Sequence, residues 1–236
     1  MNNRTKVFQK VTKGFFELLY PSYANCLACE EKRLENRVDG LCNRCRETLT
    51  KEYKKDGFLV LSQIDGCFFP FDYQGINQKL ILQLKFGQIQ AAALPLAQAM
   101  IWRIEQQEEN FEGILPIPLY KKRKQQRGFN QAEILAKKIS EATGIVLIEG
   151  IRRIKNTSAQ TKLNKTQRKE NVENAFEIIK KEAIQGKTLL LLDDVVTTGA
   201  TAMACAKVLK EGGAGKVFLL SVAHAPLREK QAEKNE

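Results

Sequence analysis

Apolar positions along this chain follow two periods. Some recur every three or four residues, as on a helix, and others form short continuous runs or alternate, as in a strand. In residues 5–20, Val7, Val11, Phe15 and Leu18 share one helical face while Lys6, Lys10 and Lys13 lie elsewhere. Gly14 and Pro21 limit that helix, so packing against the rest of the protein is expected rather than a membrane-surface role. "GFLVLSQIDGCFFPFDY" mixes β-branched and aromatic residues with Gly and Pro, which predicts one or two strands. Residues 76–86 and 91–107 have helical spacing, and "GILPIP" at 113–118 is a short buried strand stopped by prolines. Over 128–142, Ala132, Leu135, Ala136 and Ile139 line the apolar face of a helix that Gly144 ends. "IVLIEGI", "AFEII" and "KTLLLLDDVV" are expected strands, followed by a helix over 201–211 ended by Gly212 and Gly213, and a last strand "KVFLLSVAH". Residues 152–171 carry many charges and no period, which predicts a mobile loop. The tail "REKQAEKNE" should fray.

Strands alternating with helices over 113–225 predict an α/β fold, an open, mainly parallel sheet with helices on both faces. The expected organisation is an N-terminal helix (1–21), a cysteine-rich module (22–52), the α/β domain (53–226) and a frayed tail (227–236). No internal repeat is visible. A length of 236 residues suits one such domain plus a small module, and 43% hydrophobic residues exclude wholesale disorder.

Charge adds a partner class. A formal net charge of +11 favours a polyanionic or phosphorylated ligand over a neutral one. The N-terminus is basic without an apolar stretch of signal-peptide length, and nothing approaches the run of about 20 apolar residues that spans a bilayer. A cytoplasmic protein with no stable membrane insertion is the expectation.

Four of the six cysteines fall in a metal pattern: Cys26-x2-Cys29 and Cys42-x2-Cys45 enclose twelve residues. Two such knuckles can close a tetrahedral thiolate site around Zn²⁺. Four protein ligands leave no open coordination position, so that zinc is structural. Cys67 and Cys205 lie in apolar surroundings and are expected in the core.

The most informative stretch is "LLLLDDVVTTGAT", Leu189–Thr201. Its leucines form a fully buried strand, and ligands of open parallel sheets sit beyond the carboxyl ends of strands, where Asp193 and Asp194 lie. The following loop leads into a helix whose N-terminal N–H groups, with threonine hydroxyls, can cradle a phosphate. Two carboxylates oppose a phosphate but suit a vicinal diol, each accepting hydrogen bonds from a ribose hydroxyl. Diol grip and phosphate nest together describe a ribose 5-phosphate. Two other motifs are excluded. "QGKT" at 185–188 has Lys181 where a Walker loop needs Gly, and "GGAG" at 212–215 ends a helix where a dinucleotide fingerprint opens one.

This stretch resembles the phosphoribosyl pyrophosphate (PRPP) signature of type I phosphoribosyltransferases. The resemblance implies that Asp193 and Asp194 hold the ribose and that Thr197, Thr198, Gly199, Ala200 and Thr201 line the 5-phosphate, with Mg²⁺ accompanying PRPP. Together with the cysteine module, "YQGINQKLILQLKFG" (73–87), "PIPLYKKRKQQRGFNQA" (116–132) and "RIKNTSAQTKLNKTQRKENVENAF" (153–176) resemble the ComF competence family, from Pro21 to His224. That resemblance implies a phosphoribosyltransferase-like domain with an N-terminal zinc finger, needed for DNA uptake in natural transformation.

In the implied fold the turn after "ILPIP" contacts pyrophosphate, making Arg123 and Arg127 diphosphate partners, since guanidinium forks match phosphate oxygens. Some of Lys121, Lys122 and Lys124 would be merely solvated; Phe129 is expected to pack and Asn130 to cap. Residues 153–172 would be the loop that closes over the site in transferases, with Arg153, Gln160, Arg168 and Asn171 at family-like positions. Because Arg152, Arg153, Lys155, Lys162, Lys165, Arg168 and Lys169 make this loop basic, a grip on a nucleic-acid backbone is the alternative.

Two functions remain open. One is a DNA-uptake factor that binds single-stranded DNA and PRPP, with other competence proteins as partners. The other is a working phosphoribosyltransferase that moves ribose 5-phosphate from PRPP to a nitrogen acceptor. No base-binding segment is recognisable for the second, and the chain ends soon after its last strand. The absence of a Cys after Met1 argues against a purine-synthesis amidotransferase.

Overall fold

A computed structural model describes residues 25–31, 39–155 and 175–226. The expected helix over 5–20, the frayed tail, and Gln160, Arg168 and Asn171 lie outside these residues.

The sheet is built around β7 (Thr188–Val196) and β8 (Lys216–His224). Both run parallel, with Leu192 opposite Leu220 and Val196 opposite His224. On one side β4 (Gly113–Pro116) pairs with β7 in parallel register. On the other, β2 (Gly66–Phe68) and β3 (Phe71–Asp72) pair in parallel with successive parts of β8, and β1 (Phe58–Leu59) closes that edge antiparallel to β2. The aromatic stretch at 57–73 therefore folds as three short strands rather than one or two, because Phe69 and Pro70 interrupt the ladder.

The leucine run explains why this sheet is covered on both faces. Leu189, Leu190, Leu191 and Leu192 are all 0% exposed. Strand alternation sends Leu190 and Leu192 to one face and Leu189 and Leu191 to the other. Fully burying each contributes about 1.5–3 kcal/mol. The first face carries α2 (Gly75–Phe86), α3 (Ala93–Glu105) and α5 (Gln131–Thr143); the second carries α6 (Ala200–Glu211). In α5 the apolar positions Leu135, Ala136 and Ile139 are buried as their spacing predicts. Its start is fixed by Asn130, whose Oδ1 accepts the Ala132 N–H at 3.1 Å, and its end by left-handed Gly144.

Two local expectations change. "IVLIEGI" does not form one strand in the main sheet: Leu147 makes only an isolated bridge to Ile114, and β5 (Ile151–Arg153) turns away to pair antiparallel with β6 (Phe176–Ile178). The basic turn after β4 is a helix, α4 (Lys121–Arg127), with no buried residue and a left-handed Gly128 at its end. Its lack of an apolar stripe hid it from the hydrophobic pattern.

The cysteine module leads into α1 (Asn43–Lys51) and packs against α2. Cys26, Leu27, Ala28, Leu41, Cys45 and Leu49 belong to the same apolar cluster as Leu190 and Leu220. The Lys79 ammonium donates to the Ala28 carbonyl at 3.0 Å and the Gln83 amide to the Leu27 carbonyl at 2.7 Å, so α2 satisfies the polar backbone of the first knuckle.

Candidate functional site

The four cysteines predicted as metal ligands converge. Their sulfurs all lie within 4.8 Å of one another, and the Cys29 and Cys42 Sγ atoms are 3.8 Å apart. A tetrahedral ion bound by thiolates at about 2.3 Å needs sulfur separations of about 3.8 Å, so the donor set fits one such ion. The knuckles are held by their own backbone. Cys26 donates its N–H to Glu31, Leu27 donates to Gly40, and the Cys42 N–H points at Cys26 Sγ from 3.3 Å. Asp39 locks the second knuckle to α1 by accepting Arg46 Nη2 at 2.7 Å and Nε at 2.8 Å. Burial raises the Cys26 thiol, but the N–H groups of Cys29, Cys42 and Ala28 outweigh it and bring the thiol down to about 6. Burial and the surrounding thiols push Cys45 up, which a bound cation would reverse.

The acidic pair stands at the carboxyl end of β7, as expected. Asp194 is 9% exposed and pairs with the Lys85 ammonium, Nζ to Oδ1 2.8 Å. Asp193 accepts the Asp194 N–H on Oδ1 at 2.8 Å. Burial and then the Asp194 charge push the Asp193 carboxyl up to about 7, although Lys85 and the N–H of Asp194 pull the other way. With the Lys85 ammonium beside them and Asp193 resisting ionisation, the two carboxyls carry less than their full combined charge. Ribose hydroxyls donating to this pair would relieve the remaining strain of like charge.

Beyond the acids the backbone turns through Thr197 and Thr198 to Gly199, which caps α6 at φ 72° with no side-chain cap. A β-carbon at Gly199 would sit 2.5 Å from the Leu61 side chain, so the turn demands glycine both for conformation and for space. Thr198 Oγ1 lies 3.4 Å from the Ala200 N–H, and Thr201 is half-buried in the first turn. Thr197, Thr198, Gly199, Ala200 and Thr201 therefore form the contiguous helix-entry loop that the sequence suggested. A twelve-residue helix with no side-chain cap at Gly199 offers the N–H groups that follow Ala200 to an anion.

The structure also draws the basic candidates toward the acids. Arg127 is half-buried; burial lowers its pKa, the Arg123 charge lowers it further and Asp194 raises it, so both neighbours lie within electrostatic reach. Arg153, on β5, is lowered mainly by burial and lies within reach of Cys205, Arg123 and Asp193. Arg123 itself is exposed on α4. Phe129 packs against the helical-face cluster, Asn130 also donates to the Ile117 carbonyl at 3.0 Å, and buried Gln131 accepts Arg127 Nη1 at 3.2 Å. "RGFNQ" is thus the joint that fixes α4 and Arg127 beside the sheet. Cys67 and Cys205 are buried, and burial followed by the Asp193 charge raises both thiols, which makes them poor nucleophiles.

Sequence reasoning missed Lys85. It lies 109 positions before Asp194, in the "KFG" that ends α2, and no local spacing ties the two together. Among the described residues no helix is long and apolar enough to cross a membrane.

No family model matches the chain. Competence protein ComFC of Bacillus subtilis (strain 168) is 38% identical over 216 residues, covering 87% of this chain and 85% of that protein. Competence protein F of Haemophilus influenzae is 34% identical over 116 residues, 48% of this chain, and the match spans 51% of its length. DNA utilization protein YhgH of Escherichia coli (strain K12) is 31% identical over 152 residues, 62% of this chain and 66% of that protein. Among solved structures, adenine phosphoribosyltransferase from Thermoanaerobacter pseudethanolicus overlaps 75% of this chain and 98% of its own at 16% identity and a TM-score of 0.38. Overlaps that loose add no weight, and the assignment rests on the sequence relatives. With 38% identity across 85% of ComFC, the chain belongs to the ComFC family of competence proteins.

Proposed function

We propose that the chain serves DNA uptake in natural transformation, binding Mg-PRPP at the Asp193–Asp194 pair and single-stranded DNA on an adjoining basic surface. One observation carries the PRPP reading: a carboxylate pair at the end of β7, half-neutralised by Lys85 at 2.8 Å, stands one short turn before a helix N-terminus that opens on Gly199. That arrangement suits a ribose diol and a 5-phosphate held together. Asp193 and Asp194 take the hydroxyls, and Thr197, Thr198, Gly199, Ala200 and Thr201 take the phosphate. Arg123, Arg127, Arg153 and Arg168 are the diphosphate or DNA contacts, and Cys26, Cys29, Cys42 and Cys45 hold a structural zinc. The names of the relatives, competence proteins and a DNA utilization protein, support the wider role.

Chemistry separates the two ligands. A deoxyribose lacks the 2′-hydroxyl, so DNA cannot satisfy both carboxylates of a diol grip. Its phosphates suit α4, which carries Lys121, Lys122, Arg123, Lys124 and Arg127 with no acidic residue and no buried side chain. Titration calorimetry tests this directly. Mg-PRPP should bind the wild type, and Asp193→Asn with Asp194→Asn should weaken it by about tenfold or more, at least 1.4 kcal/mol. Single-stranded DNA should bind with a steep salt dependence, and Lys121, Lys122 and Arg123 changed together to Gln should flatten the log–log slope by about 2. No heat with Mg-PRPP refutes the pocket reading, and salt-insensitive DNA binding refutes the backbone reading. DNA affinity that disappears in the double Asp variant would place both ligands at one site.

A second reading, turnover, draws on Arg123 and Arg127 lying in one electrostatic neighbourhood with Asp194. There a nitrogen lone pair would attack the anomeric carbon while its bond to pyrophosphate oxygen breaks, and the guanidinium groups would hold the departing diphosphate. Pyrophosphate released from Mg-PRPP on addition of a nitrogen base would establish this reading.

A further inference from the structure

Lys85 turns inward to Asp194, but its neighbour Phe86, the last residue of α2, is 68% exposed. A lone exposed phenylalanine on a surface needs no explanation. This one is held. The Arg127 guanidinium sits over its ring, 5.3 Å from the centroid, and Arg127 is in turn anchored at 3.2 Å by Gln131, a side chain 1% exposed. A cation over one face fixes the ring plane and leaves the rest of the ring open. Phe86 is also one residue from the lysine that touches the acidic pair, and Arg127 lies in the field of Asp194. A flat, anchored, exposed aromatic surface therefore stands beside residues with the chemistry to hold a ribose and its phosphate.

We propose that Phe86, backed by Arg127, is a stacking platform for a nucleobase. The flat group most commonly carried on a ribose is a base, and stacking on an aromatic side chain is indifferent to its identity because every base has a π-face. The inference deepens the pocket reading above and rests on it where the base belongs to a ribonucleotide.

Calorimetry on the full chain compares ribose 5-phosphate, AMP and oligo(dA) across wild type, Phe86→Ala, Phe86→Tyr and the Asp193→Asn/Asp194→Asn double variant. Stacking should make AMP bind the wild type tighter than ribose 5-phosphate by about 5- to 150-fold, the equivalent of about 1–3 kcal/mol. Phe86→Ala should erase that gain and leave ribose 5-phosphate unchanged, whereas Phe86→Tyr should keep it. The same Phe86-dependent gain with oligo(dA) in place of AMP supports the platform and assigns the base to a strand. Equal binding of AMP and ribose 5-phosphate, with oligo(dA) indifferent to Phe86, overturns it. So does a Phe86→Ala loss shared equally by ribose 5-phosphate, which would make Phe86 structural. The double Asp variant separates the two claims: ribose 5-phosphate that binds through the acids but gains nothing from a base overturns the platform alone. Base binding that depends on Phe86 but ignores the acids overturns the diol grip alone.

Discussion

The cysteine module and the acidic pocket both touch α2, and they are assembled in opposite ways. The module collects its four sulfurs from residues 26–45, and its knuckles are held by hydrogen bonds among residues 26–46. The pocket gathers Lys85 from the end of α2, Arg127 from α4 and Asp193 to Thr201 from β7 and α6. Lys79 and Gln83 seat α2 on the first knuckle, and Lys85, two residues beyond Gln83, reaches Asp194. One helix thus meets a locally specified site through Lys79 and Gln83 and a globally specified site through Lys85. The first depends on a ligand set, the second on the whole sheet being in register.

The sharpest way to break this contrast is to remove the sulfurs. Cys42→Ser with Cys45→Ser should take zinc from about one ion per chain to near none. Structural zinc sites contribute on the order of 10 kcal/mol or more of apparent binding free energy in small modules. The module shares its apolar cluster with the helical face of the sheet, so the loss should reach the whole fold. A net cost of about 4 kcal/mol lowers the thermal midpoint by roughly 8–16 °C at this chain length. Metal analysis and circular dichroism check both numbers. A zinc-poor wild type, or a double variant that melts with the wild type, would remove the metal from the account.

What was legible in the sequence divides along the same line. Paired CxxC knuckles announce their site because ligand spacing is local. Leu189–Leu192 and "KVFLLSVAH" announce central strands because both faces of such strands are greasy, and the last runs Lys216–His224 as its apolar pattern implied. The acidic pair could be placed at a strand end for the same reason. Lys85 could not be found, because a pairing across 109 residues depends on how α2 packs and leaves no periodic trace. Helix α4 was hidden because "KKRKQQR" has no apolar stripe; Gly128 at its end and the 2.7 Å contact of Lys124 with Glu133 on α5 hold it in place. "IVLIEGI" has enough apolar residues for a strand, but β5 diverges to join β6, a choice set by tertiary pairing rather than by propensity.

A smaller perturbation asks whether the pocket is as collective as its assembly suggests. Lys85→Met keeps most of the aliphatic length and removes the charge that Asp194 faces at 2.8 Å. Side chains only 18% and 12% exposed place this pair between surface pairs, worth about 1 kcal/mol or less, and buried ones, which cost several when broken. The expected destabilisation is about 1–3 kcal/mol in urea unfolding, with zinc content unchanged. Adding Asp194→Asn should recover most of it, since the stranded carboxylate is the cause. Single and double variants that simply add would show that Lys85 and Asp194 do not act as a pair.

A last test isolates one proton. Asp193 is pushed up to about 7 by burial and then by the Asp194 charge, against about 3.9 in an unfolded chain. Between roughly pH 4 and pH 7 the folded state therefore keeps a proton that the unfolded chain has released, and stability from this group falls as pH rises through that window. Mg-PRPP binding should move the other way, because an ionised carboxylate accepts from ribose hydroxyls better than a protonated one. The 5-phosphate titrates in the same range, so Asp193→Asn is the control: its carbonyl oxygen can still accept the Asp194 N–H, but it has no proton to lose. Urea midpoints measured from pH 5 to pH 8 should decline more in the wild type than in Asp193→Asn, while the rise in Mg-PRPP affinity over the same span should be steeper in the wild type. Opposite slopes from one carboxyl are what a group desolvated for a ligand should show; parallel slopes would mean that Asp193 is merely buried.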